Sequence, residues 1–184
     1  MGLTYWDVTC AILIPGVLLA SWIDYAQRRV PNWLNAALIV TGFVVQGWFH
    51  GWSGLAMGLG GMLVGFGVLI VPWLMHGMGA GDVKLMAAIG VWFGPWMTLM
   101  SFALGGLIGG VIAVVMILAA GKLREAYANL GVIMLKVRSW NNAFGEFGSA
   151  KSFGSTSQLL PYGVPLTIGS LIVLVGAIHN LGVM

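Results

Sequence analysis

Two aspartates are the residues of this sequence whose surroundings suggest chemistry. Asp82 ends the glycine-rich run Gly77-Met78-Gly79-Ala80-Gly81-Asp82 and opens a long apolar stretch. From residue 30 to residue 81 there is no other Asp, Glu, Lys or Arg. An ionisable side chain at membrane depth is costly, and it indicates a functional site with a partner. Asp24, at the end of the first apolar run, is the candidate partner.

A structural explanation of Asp82 is also open. Asp is a preferred N-cap residue, and here it would bond the first-turn amides of a helix that begins at Val83. The preceding glycines permit a sharp bend and the close approach of another chain. The sequence favours chemistry over capping only if a second acid can reach Asp82.

The composition indicates an integral membrane protein embedded in a lipid bilayer. Of the 184 residues, 59% are hydrophobic and 7% are charged, whereas soluble domains carry about 25% charged residues. The single cysteine excludes an internal disulfide and a Cys-x-x-Cys metal site. His50, His76 and His179 are widely spaced. We therefore predict no metal, no cofactor and no nucleic-acid partner.

The apolar runs predict an all-α, polytopic fold with about six transmembrane helices in a single domain, residues 1–184. A span needs about 20 residues, so the 52 uncharged residues from 30 to 81 fit two spans. We place one break within Gly47–Gly54 and another at Gly94-Pro95-Trp96. Gly61 and Gly65 predict a face for close helix packing. The predicted spans are approximately 8–23, 33–49, 55–75, 83–93, 96–120 and 159–181.

The segment of about 122–158 predicts one helix lying in the membrane interface, on the cytoplasmic side. Its apolar residues recur at steps of four and three, which is one face of a helix, and basic residues flank them. A Gly/Ser-rich stretch follows at 145–157. The apolar positions are Leu123, Tyr127, Leu130, Met134 and Val137.

The positions of the basic residues predict the orientation of the chain. All eight lie in or beside the loops that follow the first, third and fifth predicted spans. The positive-inside rule makes that side cytoplasmic. Asp24 and Asp82 then fall on the same face of the membrane, each at a helix end.

Two carboxyl groups at one water-accessible place suit a general acid/base pair. One, ionised, takes a proton from water, and the other, protonated, donates to the carbonyl oxygen under attack. The helix dipole favours the ionised form at a helix N-terminus and the protonated form at a C-terminus. These positions make Asp82 the readier base and Asp24 the readier acid.

The chain resembles a known family at these residues. Gly79-Ala80-Gly81-Asp82 is similar to the Gly-x-Gly-Asp motif of intramembrane aspartyl proteases. Asp24 with the following Arg28-Arg29-Val30-Pro31-Asn32 resembles the first-aspartate region of the type IV prepilin peptidases, as do residues 81–85 and Pro161-Tyr162-Gly163. Presenilin-type proteases carry a Tyr-Asp pair instead, whereas the order here is Asp24-Tyr25.

The resemblance implies an endopeptidase of pilus biogenesis in the bacterial inner membrane, with its active site facing the cytoplasm. It would remove the basic leader of a prepilin ahead of the hydrophobic helix. The lone Cys10 and the few residues before the first span resemble the compact Tad/Flp-type branch, which lacks the N-methylation domain. The resemblance assigns Asp24 and Asp82 as the catalytic pair, Gly79, Gly81 and Lys84 as the supporting loop, and Arg28, Arg29, Pro161, Tyr162 and Gly163 as possible substrate-side residues.

Three other interpretations are compatible with parts of the sequence. A small proton-coupled transporter or channel would use Asp24 and Asp82 as a relay, and it predicts acids near the middle of the membrane. A non-catalytic assembly factor would use both acids as helix caps. Gly51-Trp52-Ser53-Gly54 resembles the Gly-x-Ser-Gly of rhomboid proteases, but four common residues match easily by chance.

Overall fold

The regular secondary structure of the described residues is entirely α-helical. The structure is a computed structural model, and it describes residues 2–27, 30–74, 79–119, 121 and 162–180. Within these ranges the elements are α1 (Tyr5–Gln27), α2 (Asn32–Leu74), α3 (Ala80–Ala119) and α4 (Gly163–Asn180). Of these described helices, α1, α2 and α3 are long and apolar enough to cross a membrane, and α4 is apolar but shorter. The all-helical class is confirmed, while the count of six spans stays a prediction.

Helices α2 and α3 are each interrupted by one glycine. Gly51 has φ 59° and ψ −141°, and Gly94 has φ 71° and ψ 177°. L-residues with a side chain rarely adopt such positive φ values, so glycine is the residue that permits each break. Both breaks fall where the sequence predicted them, within Gly47–Gly54 and at Gly94-Pro95-Trp96. We call residues 80–93, the part of α3 before its break, the short helix.

The short helix lies at the centre of the packing. Every residue from 85 to 93 is buried. An apolar sequence suits either the interior of a protein or the lipid, and the burial of these residues places this part of α3 in the interior. Its first turn carries Asp82, so the candidate acid belongs to the most enclosed helix of the described residues.

The part of α2 after its break runs against the short helix at backbone contact. A Cβ atom on Gly61 would overlap the carbonyl oxygen of Gly90, and one on Gly90 would overlap that of Gly61. A Cβ atom on Gly65 would overlap the carbonyl oxygen of Met86. Positions rise on one helix as they fall on the other, so the two run antiparallel. The predicted packing face of Gly61 and Gly65 is confirmed.

Helix α1 and the part of α2 before its break enclose the short helix from other sides. Trp92 Nε1 donates a hydrogen bond of 2.9 Å to the carbonyl oxygen of Leu38, and Leu38 meets α1 at Gly16. Between helices in a bilayer, van der Waals packing of such side chains and interhelical hydrogen bonds supply the attraction. The buried cluster includes Leu13, Val17, Ala20, Leu34, Leu38, Leu85, Ile89 and Trp92.

Four helix ends meet at one end of this assembly, which we call the site end. The last turn of α1 reaches the start of α4, where Gly163 N donates to Asp24. The start of α3 reaches the start of α2, where Lys84 Nζ donates to Asn32 Oδ1 at 2.8 Å. The site end therefore collects Asp24 and the first turn of the short helix, although 57 residues separate the two aspartates in sequence.

The chain divides into two compact units. One comprises residues 1–109 and 161–184, and the other residues 110–160. Of the second unit, residues 110–119 and 121 are described; they are the last turns of α3 and a closing turn in which Gly121 N donates to Leu118 O at 3.1 Å. The predicted interfacial helix at about 122–158 lies outside the described residues, as does His76.

The glycine contact makes a specific stability prediction. Gly61→Ala places a methyl group against backbone that cannot rotate away, and we expect it to destabilise the protein by about 1–3 kcal/mol, as overpacking does. Gly67→Ala is the matched control, because Gly67 lies on the same helix with nothing within 4 Å of its added Cβ. Thermal unfolding in detergent measures both. Equal midpoints for the two variants would contradict the close contact.

Candidate active site

Asp24 is held by the first residue of α4. It lies in the last turn of α1 with 5% of its surface exposed, and Gly163 N donates a hydrogen bond of 3.1 Å to Asp24 Oδ2. A Cβ atom on residue 163 would lie 2.7 Å from Oδ2 and 3.1 Å from Cγ. Helix N-termini attract anions through their free N–H groups. Gly163 therefore both orients the carboxyl group and leaves room for it.

Asp82 lies inside the first turn of the short helix. The helix begins at Ala80, and Asp82 N donates to the carbonyl oxygen of Gly79 at 3.2 Å. The expectation that Asp82 caps a helix beginning at Val83 is therefore wrong, because the glycine-rich run already continues into the helix. Asp82 is 6% exposed, and its Oδ1 is buried with no hydrogen-bond partner among the described residues.

The two carboxyl groups form a pair at the site end. They come from different helices, both are buried, and they lie close enough to interact electrostatically. Neighbouring carboxyl groups with little solvation favour a state in which one proton serves both. A pair in that state has one proton donor and one proton acceptor, which general acid/base catalysis requires. Their catalytic assignment stays a prediction.

The two glycines predicted to support Asp82 have different surroundings. A Cβ atom on Gly79 would lie 3.3 Å from Asp82 Oδ2, and Gly79 is otherwise exposed. A Cβ atom on Gly81 would lie 3.0 Å from Val30 N and 3.2 Å from Val30 Cβ. Gly81 therefore lets the chain after α1 approach the short helix. Of these two glycines, Gly79 is the one at which the backbone beside Asp82 is exposed to another molecule.

The remaining predicted residues lie beside the pair or outside the described residues. Lys84 is exposed, and its hydrogen bond to Asn32 links the short helix to the start of α2. Tyr162 is partly buried immediately before α4, and its carbonyl oxygen accepts from Leu166 N at 3.2 Å. Arg28, Arg29 and Pro161 are outside the described residues.

Asn35 is a buried polar residue that the sequence reasoning missed. It lies in the second turn of α2, is 2% exposed, and neither its Nδ2 nor its Oδ1 has a hydrogen-bond partner among the described residues. Buried polar atoms are normally paired, so such a residue needs a partner. The available signal was its position, since it is one of three amide side chains in the apolar run of residues 30–81, with Asn32 and Gln46.

A comparison with known families shows which family this chain belongs to. The sequence matches the type IV leader peptidase family over residues 11–114, which is more than half of the chain and includes both aspartates. The chain belongs to the type IV leader peptidase family. The family membership agrees with the resemblance drawn from the Gly-x-Gly-Asp run and the first-aspartate region.

The chain is also similar to several curated proteins that carry the name prepilin leader peptidase/N-methyltransferase. The protein of Stutzerimonas stutzeri is 32% identical over 121 residues, covering 61% of this chain and 41% of the relative. That of Escherichia coli K12 is 35% identical over 102 residues, covering 52% of this chain and 44% of the relative. That of Pseudomonas aeruginosa is 31% identical over 133 residues, covering 68% of this chain and 44% of the relative. The chain thus spans less than half the length of these relatives. No solved structure matches it significantly.

If the two carboxyl groups cleave a leader peptide, as the family's description suggests, the contact between Gly163 and Asp24 predicts a sharp effect on that cleavage. Gly163→Ala would push the Asp24 carboxyl group from its position, and misplacement of a reacting group by about 1 Å can cost on the order of 100-fold in rate. We expect a loss of that order at normal protein levels. Gly176→Ala, in the same helix with nothing within 4 Å of the added Cβ, should leave cleavage unchanged. Equal rates for the two variants would separate Asp24 from the reaction.

Proposed function

We propose that this protein is a membrane-embedded aspartyl endopeptidase that removes the leader peptide of type IV prepilins. One observation carries the proposal: two buried carboxyl groups, Asp24 and Asp82, are brought together from different helices at one end of the assembly. Membership of the type IV leader peptidase family and the names of the relatives support the reaction and the substrate class.

The proposed mechanism uses the pair as base and acid. Asp24, whose Oδ2 accepts the hydrogen bond from Gly163 N that favours an ionised carboxylate, takes a proton from a water molecule as the water oxygen attacks the scissile carbonyl carbon. Asp82 gives its proton to the carbonyl oxygen, so a neutral tetrahedral intermediate forms. When the carbon–nitrogen bond breaks, Asp24 gives its proton to the leaving amine, Asp82 takes back a hydroxyl proton, and the carboxyl product is released. These roles reverse those expected from the helix dipoles alone. Oδ1 of Asp82 has no hydrogen-bond partner among the described residues, which supports Asp82 as the group that donates to the substrate.

The exposed tryptophans support a membrane-spanning placement with the pair near one surface. Trp22, Trp33 and Trp73 are exposed on helix turns toward the site end. Trp48, Trp52 and Trp96 are exposed near the two glycine breaks, at the other end. Tryptophan is enriched at both membrane–water interfaces. With the basic residues of the sequence, this pattern supports a multi-pass protein of the bacterial inner membrane whose active site faces the cytoplasm.

The proposed substrate is a prepilin with a basic leader followed by a hydrophobic helix, and we propose the Tad/Flp type. A hydrophobic substrate helix would remain in the bilayer, while the extended leader junction would reach the pair. The open backbone at Gly79 beside Asp82 Oδ2 supports an approach from that side. Supplying Tad/Flp-type and other type IV prepilins in parallel tests this preference.

The positions of the two acids favour hydrolysis over a proton relay. Asp24 lies in the last turn of α1 and Asp82 in the first turn of α3. A relay across a membrane would need ionisable groups near the middle of the helices, and among the described residues Asp and Glu occur only at helix ends. Asp24 also accepts a hydrogen bond from the first N–H group of α4. An experiment must therefore distinguish a structural role of Asp24 from a catalytic one.

Conservative variants make that separation. Asp24→Asn keeps a carbonyl oxygen that can accept the Gly163 hydrogen bond, and Asp82→Asn keeps the size of the side chain. Neither amide can exchange a proton as a carboxyl group does. We expect both variants to insert and accumulate normally in cells that express a prepilin, and each to abolish leader removal, which is read as a shift of the prepilin on a gel.

Asp7→Asn is the matched control for this experiment. Asp7 is exposed at the start of α1, where its Oδ2 accepts hydrogen bonds from Thr4 N and Thr4 Oγ1 at 2.8 Å and 2.7 Å. It should leave cleavage unchanged. Full activity of Asp24→Asn at normal expression would show that Asp24 only caps the N-terminus of α4, and it would overturn the paired mechanism.

A further inference from the structure

The end of the short helix opposite Asp82 carries carbonyl groups that need outside donors. In a continuous helix the carbonyl oxygen of Val91 would accept from the N–H of residue 95. Residue 95 is proline, which has no N–H, and Gly94 has left the helical conformation. Val91 and Trp92 therefore present carbonyl oxygens of a helix C-terminus inside the protein, where unpaired polar groups are costly.

Gln46 and Tyr5 supply the missing donors. Gln46 Nε2 lies 3.1 Å from Val91 O, 3.2 Å from Trp92 O and 3.0 Å from the Tyr5 hydroxyl. The Tyr5 hydroxyl in turn donates to Trp92 O. The two amide hydrogens of Gln46 suffice for this arrangement if one serves Tyr5 and the other is shared between the two carbonyl oxygens. We call Gln46 and Tyr5 the carbonyl clamp.

The orientation of the Gln46 amide is itself fixed. His50 Nδ1 lies 3.2 Å from Gln46 Oε1, and an amide oxygen can only accept, so the histidine nitrogen donates. The Tyr5 and His50 rings are in edge contact, with centroids 4.8 Å apart. Gln46 is 5% exposed. Because the amide oxygen of Gln46 faces His50, the amide nitrogen with its two hydrogens faces the C-terminal end of the short helix.

The clamp and Asp82 are at opposite ends of one rigid element. Trp92 is ten positions after Asp82 in sequence, which is about 15 Å along a helix. Apolar packing is non-directional, and the glycine contacts at Gly61 and Gly65 offer smooth backbone rather than interlocking side chains. Hydrogen bonds to two successive carbonyl oxygens, which point in different directions around the axis, fix both the depth and the rotation of the helix.

We propose that Gln46 and Tyr5 are positioning residues for Asp82. By holding the far end of the short helix they set its depth and rotation, and so keep the Asp82 carboxyl group opposite that of Asp24. The activity part of this inference rests on the proposed function, whereas the position of the short helix can be measured without it.

The test removes the donors while preserving shape. Gln46→Met keeps the length of the side chain, and Tyr5→Phe deletes one hydroxyl group and is the milder change. The matched control is Thr41→Val on the same helix, because Thr41 Oγ1 bonds the carbonyl oxygen of Ala37 in its own helix at 2.7 Å. Steady-state cleavage of a prepilin peptide by the purified protein separates kcat from KM.

We expect Gln46→Met and Tyr5→Phe to lower kcat on the order of 10- to 100-fold with KM unchanged, since a displaced catalytic group slows chemistry without weakening substrate binding. Because both residues serve Trp92 O, the double variant should lose less than the product of the single effects. Thr41→Val should retain the parent rate.

A second measurement reports the position of the short helix without catalysis. Cysteines at Asn32 and Lys84, both exposed and in side-chain contact, are joined by a short bifunctional maleimide in a Cys10→Ser background. Gln46→Met should lower the cross-linking yield at least about twofold, while Thr41→Val should not.

The two readouts distinguish failure of the inference from failure of the proposed function. If the parent protein cleaves no prepilin, the proposed function fails, and the cross-linking yield alone decides the inference. An unchanged yield in both Gln46→Met and Tyr5→Phe would overturn the clamp. A lowered yield with full kcat would also overturn it, because the short helix would then move without consequence for Asp82.

Discussion

The backbone contact between Gly61 and Gly90 is the constraint on which the described structure depends. With no side chain between them, the second part of α2 lies directly on the short helix, and α1 and the first part of α2 close the other sides. Asp82 is consequently buried although it is only the third residue of its helix. A larger residue at either glycine would open this enclosure and return water to the carboxyl group, which would change the electrostatic environment that the pair requires.

Because most of the short helix is buried, polar groups at both of its ends need partners, and side chains from other helices lie beside each end. At one end Asp82 stands near Asp24, which is itself held by the N–H group of Gly163. At the other end the carbonyl groups left by Gly94 and Pro95 accept hydrogen bonds from Gln46 and Tyr5. Apolar packing determines which helices are neighbours of the short helix. The polar contacts at its two ends determine its depth and its rotation about its own axis.

The sequence predicted those features that depend on local chemistry. The breaks at Gly51 and Gly94, the packing face at Gly61 and Gly65, and the meeting of Asp24 with Asp82 follow from residue type, spacing and span counting. The sequence predicts the start of α3 too late, because the glycine-rich run predicts a loop, whereas the helix already begins at Ala80. The partners of Gln46, Tyr5 and Trp92 depend on contacts across 40 or more residues. Pro95 was the available sign of them, since a proline inside a helix leaves a carbonyl group without a donor.

The most direct test of the acid/base pair is the pH dependence of cleavage by the purified protein. If one member must be ionised to accept a proton and the other protonated to donate one, kcat/KM follows a bell-shaped curve whose two limbs belong to the pair. The rate falls at low pH because the base is already protonated and cannot accept a proton from water. It falls at high pH because the acid has lost the proton that it must donate. A rate that rises with pH to a plateau, with no fall on the alkaline side while the protein stays folded, would contradict the paired mechanism.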